Sequence, residues 1–157
     1  MGINKNSNRK MEKQKNIIRI MDYSLSPGPR YTNQGDDSGE SFYHDKLNQA
    51  FANAVSQNNI LVVDLDGPDG YASSFLDEAF GNLIYDFGIE TVNKFLEIKS
   101  EEEPEWCEML NNDTFPQWEK RRINNSQPKK TAEHKAWKRL VNSEMEESVW
   151  MHSCSGK

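Results

Sequence analysis

Apolar positions along the 157-residue chain fall into short runs separated by polar stretches marked by Gly and Pro. The most continuous run is Ile60, Leu61, Val62, Val63 and Leu65, β-branched-rich and closed by the Gly67-Pro68 and Asp69-Gly70 turn signals. It is too short for a helix and predicts a central strand. After the turn, Phe75, Leu76, Ala79, Phe80, Leu83 and Ile84 recur at i, i+1, i+4, i+5, i+8 and i+9, which places all six on one face of a helix. Ser73 or Ser74 is the expected N-cap, Asp77 and Glu78 sit near the positive helix end, and Gly88 is the expected C′ residue.

The same reading places a first strand in residues 16–25 on the strength of Ile17, Ile18, Ile20 and Met21. Ser26-Pro-Gly-Pro-Arg30 then breaks regular structure, and Ser38 caps a helix whose apolar stripe is Phe42 or Tyr43, Leu47, Ala50, Phe51, Ala54 and Val55. Residues 93–100 predict a third strand after a short 89–92 connection, so a strand–helix–strand crossover with parallel strands spans 60–100. Pro104 follows three glutamates and opens a helix with Trp106, Met109 and Leu110 facing inward. Beyond Asp113 the composition changes to a basic linker, and residues 131–149 predict a last helix with Trp137, Leu140, Val141, Met145 and Val149 on one face. Residues 1–15 have no apolar period and read as a disordered arm. Three segments result: the arm 1–15, an α/β domain over 16–115, and a linker with a C-terminal amphipathic helix over 116–157.

One stretch carries a resemblance. YASSFLDEAFGNL at residues 71–83, with LDG before it and GPRY and SGESF upstream, resembles the STAS-like domain family of unknown function, an offshoot of the anti-anti-sigma factor fold. The resemblance runs from about residue 17 to about 110. It implies a small α/β domain, with helices packed on a mixed sheet, that presents a protein-binding surface and holds no cofactor. The implied partner is a histidine-kinase-like ATPase or another regulator. Ser73 then stands in the place of the serine that a partner kinase phosphorylates, although Ala72 and Phe75 replace the Asp and Gly of that D-S-S-G context. Because Phe75, Leu76, Ala79, Phe80 and Leu83 are committed to packing, Asp69, Tyr71, Ser73 and Ser74 are the expected partner-binding or phosphorylation surface. Trp137, Leu140, Val141 and Met145 are a second candidate, binding a partner, a second copy, or their own domain.

Charge sharpens this picture. Residues 1–20 carry six Lys or Arg against one Glu and residues 119–139 carry eight against two, whereas residues 21–118 carry four against nineteen acids. An acidic body repels nucleic acid, so nucleic-acid binding, one alternative function, would have to reside in the basic ends. Arg30 is the single basic residue between Asp22 and Asp45, where it reads as a turn arginine or as a neutraliser of that loop. No apolar run approaches a membrane span and no signal-peptide pattern opens the chain. Two cysteines without a paired framework agree with a reducing, cytoplasmic setting.

Catalytic patterns are incomplete. Asp64-Leu-Asp66-Gly67 after a strand has the form of the opening motif of haloacid-dehalogenase-type phosphatases, in which one Asp attacks phosphorus and the other handles the leaving-group proton with Mg²⁺. Pro68 stands where that family has Thr or Val, and strand-end acids capping a turn explain the pair equally well. His44, His134 and His152 are scattered, Cys107 lies in an acidic helix that blunts its thiolate, and no zinc spacing exists. The expectation is a non-enzymatic regulatory interaction module without a metal, with an Mg²⁺-dependent phosphatase as the enzymatic alternative.

Overall fold

The computed structural model describes residues 13–150. Residues 1–12 and 151–157, with most of the expected arm, His152 and Cys154, lie outside the described residues. Strands β1 (Lys15–Arg19), β2 (Ile60–Asp64) and β3 (Leu96–Lys99) form one sheet in the order β1-β2-β3. Both pairings are parallel, with Ile18, Val63 and Ile98 in register. The sheet is therefore not the mixed one expected: every connection is a crossover that contains a helix, which returns the chain in the same direction. Leu61 and Val63 are fully buried on the helix-covered face, while Ile17 on the alternate face is 57% exposed.

β1 ends earlier than the predicted 16–25 strand, and residues Ile20–Tyr23 turn into a single helical turn, α1, that buries Ile20. Helix α2 spans residues 39–57, with a wide π turn at Tyr43–Leu47 between the regular segments Gly39–Phe42 and Asn48–Gln57. Ser38 caps it as expected, its Oγ accepting from the Ser41 amide at 3.0 Å, and Asn58 ends it in the left-handed conformation. Helix α3 (Ser73–Phe87) lies at the centre of the molecule, and the six apolar residues of its predicted stripe are all fully buried. Gly88, at φ +86°, closes it by donating its amide to Ile84 O.

Residues 89–95, expected to supply a connection and the start of the third strand, instead form helix α4 (Ile89–Phe95). Val92 and Phe95, three residues apart, both reach the core from that helix. Helix α5 spans residues 105–123, with a π turn at Leu110–Thr114 that ends two residues before Pro116. Pro116 has no N–H and a bulky ring, which a regular helix interior would not accommodate. The helix thus crosses the expected boundary at residues 115 and 116, because Phe115 and Trp118 are buried against α3.

The predicted C-terminal helix is a β-hairpin. Strands β4 (Trp137–Val141) and β5 (Glu144–Ser148) pair antiparallel with Leu140 opposite Met145. The two-residue turn Asn142-Ser143 has φ of +53° and +68°, the positive pair that a tight hairpin turn needs to match strand twist. Lys138 faces Glu147, and Arg139 faces Glu146, so opposite charges pair across the strands. The hairpin lies on α2 and α3, with Leu140 and Met145 packed against the common core.

Candidate functional site

Helix α3 is buried on more than its apolar stripe. Glu78, Asn82 and Asp86, spaced four residues apart, line a second face and are also buried. Glu78 and Asp86 are matched by groups from other elements, and Asn82 by Glu78 on the same helix. The Arg30 guanidinium donates to Asp77 Oδ2 at 2.8 Å and Glu78 Oε1 at 3.0 Å, so Arg30 neutralises α3 and not its own loop. Asn82 Nδ2 donates to Glu78 Oε2 at 2.9 Å, and burial raises the Glu78 pKa despite these bonds. Asp77 also accepts from Thr114 and from the Trp118 indole. Asp86 Oδ2 accepts from the Tyr43 hydroxyl at 2.5 Å, and burial raises its pKa to about 6.

A second polar cluster joins α2 to the chain after α5. Glu40, 1% exposed, accepts from the Thr32 amide at 3.0 Å, from Thr131 Oγ1 at 2.6 Å and from the Thr131 amide at 2.8 Å, and pairs with His134 Nε2 at 2.6 Å. Burial pushes its carboxyl up, but the bonds from His134, Thr131 and Thr32 outweigh that and hold its pKa at about 2. The His44 ring stacks on His134 at 4.0 Å, edge-on to Trp137, with both ring nitrogens buried and unbonded to any described residue. Burial and the neighbouring His134 and Lys130 lower its pKa to about 2, so it is neutral. Neither His44 nor His134 stands beside a candidate nucleophile.

The four residues expected on the functional surface fall together at the carboxyl edge of the parallel sheet, the edge where open α/β sheets bind their ligands. Ser73 and Asp69 are exposed, and Ser74 and Tyr71 are half-buried. Ala72, and not a serine, occupies the N-cap position, and no side chain caps the helix. The capping role expected of Ser73 or Ser74 is thus overturned: both lie one step too far along, inside the first turn. Tyr71 anchors the loop by donating its hydroxyl to Leu65 O at 2.6 Å and lying edge-on to Trp106.

Acids crowd the same edge with defined structural tasks. Asp64 Oδ1 accepts from the Asp66 amide, and its Oδ2 lies 3.8 Å from Arg19 Nε and 3.7 Å from Lys99 Nζ. Asp66 accepts from the Glu101 and Glu102 amides at 3.0 and 2.9 Å, and these bonds lower its pKa. Both acids of the phosphatase-like motif are therefore engaged in holding the loops that follow β2 and β3. Among the described residues no group of three or more His, Cys, Asp or Glu could hold a metal ion. Burial, helped by Asp66, raises the Cys107 thiol pKa, as its acidic surroundings suggest.

Trp137, Leu140, Val141 and Met145 do not join the first group. They lie toward the opposite end of α3, on the hairpin, whose Lys138 backbone is held from both sides by Asn48: Lys138 N donates to Asn48 Oδ1, and Asn48 Nδ2 donates to Lys138 O, each at 2.8 Å. Sequence reasoning missed Glu78, Asn82 and Asp86 on α3, with Arg30 and Arg139 beside them, and Glu40 in the separate cluster with His134. The four-residue spacing of Glu78, Asn82 and Asp86 was the available signal. No described helix is long and apolar enough to cross a membrane.

No curated protein and no solved structure matches the chain. A family model does match over residues 38–106, from the N-cap of α2 to the second residue of α5. Arg30 and β1 precede the matched segment, and the hairpin follows it. The matched part holds the central strand, the central helix and the four candidate surface residues, and over it the chain is similar to a STAS-like domain of unknown function.

Proposed function

We propose that this STAS-like chain is a regulatory protein-interaction module whose partner binds the start of α3 and the loop before it. One observation carries the reading: α3 buries twelve of its fifteen residues, and the three that are not buried, Ser73, Ser74 and Asp77, all lie within its first five. The exposed patch is small, built on a rigid helix, and framed by Asp69, Asp66 and the glutamates 101–103. An acidic rim of this kind favours a partner with a basic face and sets its encounter rate through long-range attraction. Ser73 is the group on this surface that a kinase-type partner would modify, since its side chain is exposed and is not used as a cap. A phosphoryl group there would add about −1.5 to −2 charges at the positive helix end, where the fold tolerates it.

The test compares partner capture by the full chain with capture by Ser73→Arg and Asp69→Lys. Both substitutions place bulk or inverted charge on the patch without touching the core. Capture should fall at least tenfold for each, with the melting temperature unchanged. Undiminished capture by both variants would refute the reading.

A further inference from the structure

About 20 Å along α3 from Ser73, at a rise of about 1.5 Å per residue, a cavity of about 260 Å³ opens between Tyr85, Asp86 and the hairpin. It is independent of the surface just described. Trp137 and Trp150 line it, and two cations, Lys130 and Arg139, contribute to the same walls. Lys130 Nζ lies 4.9 Å from the centre of the Trp137 ring, and the Arg139 guanidinium lies 5.8 Å from that of Tyr85. Among the described residues no carboxylate is within salt-bridge distance of Lys130.

The described lining holds two cations, Lys130 and Arg139, against one acid, Asp86, and Glu78 and Glu40 act on Lys130 from beyond it. Arg139 Nε is shielded from solvent, has no hydrogen-bond partner among the described residues, and stands 3.8 Å from Asp86 Oδ1. Among the described residues Asp86 is the only acid in the lining, and its Oδ2 already accepts from Tyr43. A shielded guanidinium N–H without an acceptor is a costly arrangement that an incoming anion relieves. Aromatic walls beside it add a stacking surface, and a flat ring meets Trp faces with little loss of conformational freedom.

We propose that this cavity binds a small planar anion, a heteroaromatic ring bearing one phosphate or carboxylate, with the ring against Trp137 and Trp150 and the anionic group on Arg139 and Lys130. The volume is just below the range of drug-sized pockets, which suits one ring system with one charged group and not an extended cofactor. A free nucleotide and an aromatic carboxylate share this chemistry.

Titration calorimetry on the full chain with adenosine monophosphate, indole-3-acetate, inorganic phosphate and adenosine separates the contributions. Adenosine monophosphate or indole-3-acetate should bind saturably at one site per chain and quench tryptophan emission, at least tenfold more tightly than phosphate or adenosine. Arg139→Gln and Lys130→Gln should each weaken that binding at least tenfold with the melting temperature retained, and Lys94→Gln, at the other edge of the fold, should leave it unchanged. Absence of saturable binding by both ring-bearing anions would overturn the proposal. So would binding unaffected by Arg139→Gln, or phosphate alone binding as tightly as the nucleotide.

Discussion

At the scale of single residues, the most consequential is Arg30, a loop arginine that reaches into the molecule to satisfy two acids on α3. Nothing in its own neighbourhood shows this, because the acids lie 47 and 48 residues away. Local charge counting therefore reads it only as a turn arginine or as a neutraliser of the acidic loop around it. Its removal leaves Glu78, 1% exposed, as a buried charge with only Asn82 for company. Arg30→Met should cost about 3 kcal/mol or more, the usual consequence of breaking a buried pair from one side, measured by urea unfolding. Adding Glu78→Gln should recover part of that loss, since a neutral amide does not need the cation. A single substitution costing under about 0.5 kcal/mol would show that the pair is not a keystone of α3. Ser73 is the converse case. A serine before an apolar run is a fair sequence signal for a cap, but the cap is set by where the backbone turns helical, and that is at Ala72.

At the scale of elements, the strand–helix–strand unit was readable because its pattern is unambiguous: a β-branched run, a double turn signal, then six residues on one helical face. The hairpin was not, because Trp137, Leu140, Val141 and Met145 at i, i+3, i+4 and i+8 imitate a helix stripe. A competing signal was present in Lys138-Arg139 and Glu146-Glu147, which are mirrored about Asn142-Ser143 and pair across a turn. Helix α5 was cut short in the reading for a related reason: its basic surface hides two buried aromatics, Phe115 and Trp118. How closely α5 approaches α3 depends on Gly81, where an added Cβ would overlap the Trp118 indole. Gly81→Ala should therefore destabilise the protein by about 1–3 kcal/mol, as overpacked cores do, even though alanine favours helix by about 1 kcal/mol. Gly70→Ala, where nothing stands within 4 Å, is the control and should stay within about 0.5 kcal/mol. Thermal melts of the two variants decide the matter, and equal melting temperatures would contradict the close α3–α5 contact.

For the whole molecule, the segment after α5 is fastened to the domain by His134 on Glu40, by the His44 stack and by Asn48 on Lys138. This makes global stability depend on pH in a way that can be isolated. His44 is neutral when folded, with a pKa lowered to about 2 from 6.5, so its contribution is complete above pH 6.5 and is lost as pH falls below that value, at about 1.4 kcal/mol per pH unit. Glu40, lowered to about 2 from 4.5, adds a loss of the same sign below pH 4.5. Asp86, raised to about 6 from 3.8, acts in the opposite direction between those values. His44→Phe keeps a stacked ring and removes only the first contribution, because the His44 nitrogens have no hydrogen-bond partners among the described residues. Relative to the parent chain, the variant should gain about 2 kcal/mol between pH 7.5 and pH 5; a constant difference would mean that His44 protonates freely in the folded state. The central claim, that the molecule meets its partner at the start of α3, is tested most directly by site-specific photo-crosslinking in the native lysate. A crosslinker at position 73 should give one discrete adduct that Asp69→Lys abolishes, while a crosslinker at Asn93, on the amino edge of the sheet, gives none. Adducts of equal yield from both positions, or an adduct at 73 indifferent to Asp69→Lys, would contradict it.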